Sequence, residues 1–108
     1  MSFQAFTVTE LEKQQGDIAY REFLRRDGMS LGLYRLPAGN RDHQHPHGAD
    51  EVYLVISGRA VLKVEDRNIE VGTGSVVSVD RGADHHFTDI IEDLTLLVVF
   101  APPTTPEA

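Results

Sequence analysis

The stretch Gly39–Gly58, GNRDHQHPHGADEVYLVISG, decides the fold, because a polar half rich in histidine is followed directly by an apolar half. Val52–Ile56 is apolar at every position, which predicts a central strand buried on both faces. After Ser57–Gly58, the segment Arg59–Glu65 alternates apolar and charged side chains, as a strand with one face in solvent does. We interpret Ser57–Gly58 as the turn of an antiparallel hairpin between the two strands.

Short runs rich in Val, Ile, Leu, Tyr and Phe continue on both sides of this stretch, each closed by Gly, Asp, Asn or Pro. Such runs predict an all-β fold, a sandwich or a barrel. The predicted strands are Ile18–Leu24, Met29–Leu36, Glu51–Ile56, Arg59–Glu65, Asn68–Val71, Ser75–Val79, His85–Ile90 and Leu94–Ala101. Thr9–Glu12 fits a capping box with Thr9 at the N-cap, and predicts a short N-terminal helix that ends before Gly16.

Length and composition restrict the class of protein. The 108 residues fit one domain, which we place at residues 1–101, with the Pro-rich residues 102–108 as a flexible tail. Seventeen Asp and Glu against ten Lys and Arg give a net charge of −7, so we expect no nucleic-acid partner. Cys is absent, which excludes disulfides and thiolate metal sites. The longest apolar run, Leu96–Ala101, is far shorter than the roughly twenty residues that span a bilayer, and no signal peptide is evident, so we expect a cytoplasmic protein without membrane association.

The histidines carry the strongest chemical signal, because all five fall into two clusters: His43, His45 and His47, then His85 and His86. On an extended strand His45 and His47 point to the same face, and Glu51 shares their parity. His85 lies on another strand, and only a closed or sandwiched sheet would bring it opposite them. Three imidazoles and one carboxylate suit a divalent first-row metal such as Fe, Mn, Ni, Cu or Zn.

The spacing of these residues resembles a known family. Gly39-x5-His45-x-His47-x3-Glu51-x6-Gly58 matches the first motif of the cupin family without a departure. The resemblance identifies the chain as a small single-domain cupin, and implies an antiparallel double-sheet, jelly-roll-like β-barrel with a metal inside its mouth. By the same resemblance, the metal ligands fall on His45, His47, Glu51 and His85.

A second cupin motif follows between Gly74 and Asp89 in a degraded form. His85 keeps its place there, whereas Asp80 replaces the family's proline and Asp89 its asparagine. Neither replaced position is usually a ligand, so the resemblance still implies a complete ligand set.

Residues near the expected ligands are further candidates. His43 has the parity of His45 and is a candidate general base, or a hydrogen-bond donor that supports a ligand; the alternative is a solvated loop residue. His86 is expected to point away from the metal. Tyr53, Tyr34 and Phe87 are candidates for the wall of the cavity.

Four protein ligands on a six-coordinate metal leave two positions for a chelating substrate, or for a substrate oxygen beside dioxygen. One carboxylate offsets half the charge of a dication, so the site favours an anionic ligand. We therefore expect a metal-dependent, dioxygenase-like enzyme that acts on a small enol, diketone or carboxylate. The alternatives are a Zn or Mn isomerase or lyase, a binding or sensing module without turnover, and a metal-free barrel kept for its shape.

We expect self-association, because two short packed sheets leave edge strands with unpaired backbone groups. Residues such as Ile18–Leu24 could pair with a second copy across a symmetry axis. We predict a homodimer that binds a small-molecule ligand or substrate.

Overall fold

The computed structural model describes residues 2–42 and 48–104, which form a short helix and six strands. The elements are α1 Val8–Gln15, β1 Tyr20–Arg26, β2 Met29–Leu36, β3 Asp50–Val64, β4 Arg67–Gly72, β5 Val76–Val79 and β6 His85–Ala101. The strand pairs between them are antiparallel. The predicted all-β class with a short N-terminal helix is confirmed.

Two long strands, β3 and β6, pair along almost their whole length and bend together at one corner. Gly58 lies at this corner with a φ of 98°, and a Cβ atom there would collide with the carbonyl oxygen of Asp93. Glycine meets both requirements because it has no side chain. The predicted hairpin at Ser57–Gly58 is therefore wrong: the chain bends within β3 and continues, with Arg59 opposite Glu92 of β6. For the same reason the two strands predicted over residues 85–101 are one strand.

The bend divides the sheet into two layers that face each other. The first layer has the strand order β1-β2-β6-β3-β5 and uses the second half of β6 and the first half of β3. The second layer consists of the other halves of these two strands with β4 beside β3. Over the described residues the sheet does not close on itself, so the double-sheet arrangement is a sandwich with an open side.

Apolar side chains from both layers fill the space between them. Leu62 of the second layer and Leu96 and Phe100 of the first are completely buried. The predicted alternation after Gly58 is confirmed, since Ala60 and Leu62 are buried. Val52, however, is 39% exposed, so the expectation of a strand buried on both faces is wrong. The physical reason is that α1 packs near β1 and leaves the outer face of β3 in contact with solvent.

Helix α1 begins at a different cap from the predicted one. Thr7 is the N-cap, and its side-chain oxygen accepts a hydrogen bond from the Glu10 backbone amide at 3.3 Å. The prediction of Thr9 as the cap is two residues too late, although the helix ends at Gly16 as expected. Gln15 fastens the helix to the sheet, because its buried side-chain amide donates to the carbonyl oxygens of Ile18, Ala19 and Leu33. In the described parts of the chain, no helix has the length and apolar character needed to cross a membrane.

Candidate metal centre

Glu51 and His85 meet between the two layers. Glu51 lies near the start of β3 in the first layer, and His85 is the first residue of β6 in the second. The carboxylate oxygen Oε2 is 3.2 Å from the imidazole Nε2, and each residue is 1% exposed. The corner at Gly58 makes this contact, because it folds the two halves of the β3–β6 pair onto each other. The structure thus brings together two side chains that are 34 residues apart in the sequence.

The His85 ring is held in a defined orientation. Nδ1 lies 2.8 Å from the backbone carbonyl oxygen of Ala83. A carbonyl oxygen can only accept, so Nδ1 carries a hydrogen and Nε2 faces the interior. Histidines that bind metals are commonly oriented in this way, through a hydrogen bond from the other ring nitrogen to a carbonyl group.

The charge state of His85 depends on opposing effects. Burial lowers the pKa of His85, but the hydrogen bonds to Glu51 and to the Ala83 carbonyl, together with the negative charge of Glu51, raise it more, so that the pKa lies above its ordinary value. Nε2 faces the Glu51 carboxylate and the Tyr53 hydroxyl. A divalent cation would use the deprotonated Nε2 and the carboxylate as donor atoms, because metal ligands bind in their deprotonated forms. The chemistry of this pair fits a first-row metal.

A second buried carboxylate supports the centre from the side. Asp42 is 8% exposed, and its two oxygens accept hydrogen bonds from the Tyr34 hydroxyl at 2.9 Å and from the Phe87 backbone amide at 2.8 Å. These bonds link the segment after β2 to the beginning of strand β6, two residues beyond His85. Sequence reasoning missed Asp42, since an aspartate in a polar stretch between strands carries no signal of burial.

A cluster of aromatic rings adjoins the Glu51–His85 pair through Tyr53. The Tyr53 hydroxyl lies 3.1 Å from His85 Nε2, and the Tyr53 ring packs edge-to-face against Phe87 at 5.5 Å between centroids. Tyr34, Tyr53 and Phe87, which the sequence offered as wall candidates, are buried here. Tyr20 joins them with edge-to-face contacts to Tyr34 and Phe100. Nothing in the sequence pattern had singled Tyr20 out.

Three of the predicted site residues, His43, His45 and His47, lie outside the described residues. The set of four metal ligands therefore stays a prediction. Over residues 2–42 and 48–104 there is no group of three or more His, Asp or Glu side chains that could hold a metal ion. His86 follows His85 on the opposite side of β6 and is partly exposed.

A separate cavity of about 330 Å³ lies between the end of α1, the end of β2 and the middle of β6. Two charged groups that line it already bind backbone atoms. The Arg35 guanidinium donates to the Gly16 carbonyl, and the Asp93 carboxylate accepts from the Ala38 amide. The cavity therefore lacks the convergent buried polar groups found at the Glu51–His85 pair.

Comparisons with known proteins agree with this architecture. The family model for the Cupin domain matches residues 32–100. A protein of Streptomyces coelicolor described as uncharacterized is 51% identical over 102 residues, which cover 93% of this chain and 97% of that protein.

Solved structures are similar in fold. The TT1209 protein of Thermus thermophilus superposes with a TM-score of 0.78 at 24% identity, over 94% of this chain and 100% of that one. The DMSP lyase DddQ of Ruegeria pomeroyi superposes with a TM-score of 0.71 at 21% identity, over 85% of this chain and 53% of that one. At these identities the two likenesses bear on the fold alone.

Proposed function

This chain belongs to the cupin family, and we propose that it is a metal-dependent, dioxygenase-like enzyme that acts on a small enol, diketone or carboxylate. The observation that carries the proposal is the buried Glu51–His85 pair. Removing a carboxylate and an imidazole from water is unfavourable unless they are paired or bind an ion. A perturbed, buried pair of this kind between two layers is typical of a functional site.

We propose His45, His47, Glu51 and His85 as the metal ligands, and His43 as a base or supporting donor beside them. Of these, Glu51 and His85 have donor atoms directed to one point, and Ala83 fixes the ring of His85. When bound, Fe, Mn, Ni or Cu supplies Lewis acidity and one-electron chemistry with dioxygen. Glu51 is the single carboxylate of the set, so a dication retains net positive charge and attracts an anionic substrate.

The walls of the site favour a small substrate. Tyr34, Tyr53 and Phe87 are at most 8% exposed, so buried aromatic rings and two phenol hydroxyls make up these walls. Phenol hydroxyls among apolar rings suit a molecule with one oxygen-bearing end and an otherwise apolar body. Small enolates and carboxylates have this character.

We also propose that the chain forms a homodimer in the cytoplasm. Strand β1 supports this proposal, because within the described residues it pairs only with β2 and leaves its other edge without a neighbouring strand. The absence of a nucleic-acid partner stays a prediction that rests on the net charge of −7.

The first experiment measures metal content by mass spectrometry on protein purified without a metal-affinity tag. We expect close to one first-row metal ion per chain, lost in His85→Ala because an imidazole ligand is removed. His86→Ala is the matched control, since it removes the neighbouring imidazole from the other side of the strand, and it should retain the metal. Turnover of a diketone probe such as acetylacetone, followed by oxygen consumption, should fall about a hundredfold or more in His85→Ala.

The outcomes separate the alternatives. Bound Fe, Mn, Ni or Cu with oxygen consumption supports the proposal. Stoichiometric Zn without oxygen consumption contradicts the dioxygenase type and favours an isomerase, a lyase or a binding module. No metal after anaerobic reconstitution contradicts the metal centre itself.

A further inference from the structure

The three tyrosines of the chain differ in the use of their hydroxyl groups. The Tyr34 hydroxyl donates to Asp42, and the Tyr53 hydroxyl lies within hydrogen-bond distance of His85 Nε2. The hydroxyl oxygen of Tyr20 is buried and makes no hydrogen bond with any residue in the described parts of the chain. Native structures rarely leave such a group unsatisfied, which points to an acceptor outside the described residues.

Tyr20 projects into the space between the layers. It lies on β1 directly opposite Tyr34 and packs edge-to-face against Phe100, with 6.1 Å between the ring centroids. Phe100 is in turn the register partner of Glu51 in the β3–β6 pair. The Tyr20 ring therefore reaches from the edge strand toward the part of the first layer that carries Glu51.

A glycine makes room for this position. Tyr20 lies over Gly32 of β2, where an added Cβ atom would collide with the end of the phenol ring and its hydroxyl oxygen. The φ angle of Gly32 is not left-handed, so backbone conformation does not require a glycine here. The physical reason for glycine is the space that the Tyr20 ring occupies. The close approach sets the phenol against the backbone and keeps its hydroxyl inside.

The electrostatic environment keeps the hydroxyl protonated. Burial raises the pKa of Tyr20 well above its ordinary value, and the negative charges of Glu22 and Glu51 raise it further. At neutral pH the group is thus a hydrogen-bond donor. A donor in an apolar enclosure requires an acceptor, and an anionic oxygen is the strongest one.

We propose that Tyr20 is a ligand-binding residue whose hydroxyl donates a hydrogen bond to an oxygen of a small carboxylate or enolate held at the Glu51–His85 centre. The inference rests on the proposed function. It narrows the class of ligand to a small oxyanion in which one oxygen atom accepts the hydrogen bond of Tyr20. The aromatic contacts of Tyr20 with Tyr34 and Phe100 exclude a bulky ligand at this point.

The test measures binding of oxalate, a small chelating carboxylate, to the zinc-loaded protein by isothermal titration calorimetry. Tyr20→Phe keeps the ring over Gly32 and removes only the hydroxyl. We expect the zinc content to be unchanged and the oxalate affinity to fall about ten- to a hundredfold, the range for a lost hydrogen bond to a charged group. Zinc is redox-inactive, so the measurement does not depend on turnover.

A glycine pair on the same hairpin provides matched controls. Gly32→Ala should weaken oxalate binding as Tyr20→Phe does, because the methyl group displaces the phenol. Gly28→Ala, in the turn between β1 and β2, places a methyl group where no atom lies within 4 Å, and should leave the affinity unchanged.

A spectroscopic readout is also available, since the chain has no Trp. Oxalate should perturb the near-ultraviolet tyrosine absorption of the wild-type protein more than that of Tyr20→Phe.

The failure of this inference is distinguishable from failure of the proposed function. Equal oxalate affinity in the wild-type protein and Tyr20→Phe, with zinc bound to both, overturns the role of Tyr20 and leaves the metal centre intact. Zinc binding without oxalate binding overturns the ligand class. A wild-type chain that does not retain zinc contradicts the metal centre, and the inference with it.

Discussion

At the scale of single residues, Asp42 shows how one buried carboxylate organises the surroundings of the centre. Its oxygens accept from the Tyr34 hydroxyl and from the Phe87 amide, so it needs two acceptor atoms. Asp42→Asn keeps the shape but turns one acceptor into a donor that faces another donor. We expect the free energy of unfolding to fall by about 1–3 kcal/mol, the cost of an unsatisfied buried group, measured by urea denaturation. Asp66→Asn, in an exposed turn, is the control and should change stability by less than about 0.5 kcal/mol; equal effects of the two changes would contradict the role of Asp42.

At the scale of elements, the bend of β3 against β6 decides whether there are two layers at all. Gly58→Ala adds a methyl group that meets backbone atoms of Asp93 and Leu94, at a φ angle that other residues avoid. We expect a loss of about 2 kcal/mol or more in the free energy of unfolding, since neither backbone can move without disturbing the strand pair. Gly72→Ala is the matched control, because its nearest side-chain neighbour, at 3.6 Å, is the flexible stem of Arg59 and its φ is ordinary. Urea denaturation of both variants measures the two free energies of unfolding. A Gly58→Ala protein as stable as Gly72→Ala would show that the corner tolerates a side chain.

At the scale of the whole molecule, the edge of β1 is the surface on which the predicted homodimer depends. The end of this strand near Arg26 is contacted by the N-terminal Gln4, whereas Ile18 at the other end is 55% exposed. We expect light scattering at micromolar concentration to give twice the mass of one chain. Ile18→Lys should shift the mass toward the monomer, because it adds a positive charge to an edge that already carries Arg21 and Arg25. Ile91→Lys, at a comparably exposed isoleucine on the β3–β6 corner, should leave the mass unchanged. A monomeric wild-type protein would contradict the dimer.

Local features of the chain were predictable because each depends on neighbours in the sequence. The alternation after Gly58 reflects the two-residue period of a strand, and it is visible in the residues themselves. The spacing from Gly39 to Gly58 likewise identified the family, which the match over residues 32–100 confirms. The errors also have local causes: Thr7 and Thr9 are both acceptable caps, and Ser-Gly is equally compatible with a hairpin turn and with a bend.

The sequence by itself determined the all-β class, the family, and the nomination of Glu51 and His85 as ligands, because periodicity, motif spacing and residue type are properties of short segments. Only the tertiary structure decided that the chain bends at Gly58, that Glu51 and His85 come within 3.2 Å, and that Tyr20 has a buried hydroxyl packed over Gly32. These features depend on contacts between residues far apart in the chain, such as Gly58 with Asp93 and Tyr20 with Phe100. Such contacts are set by the packing of two whole layers, and no local pattern records them.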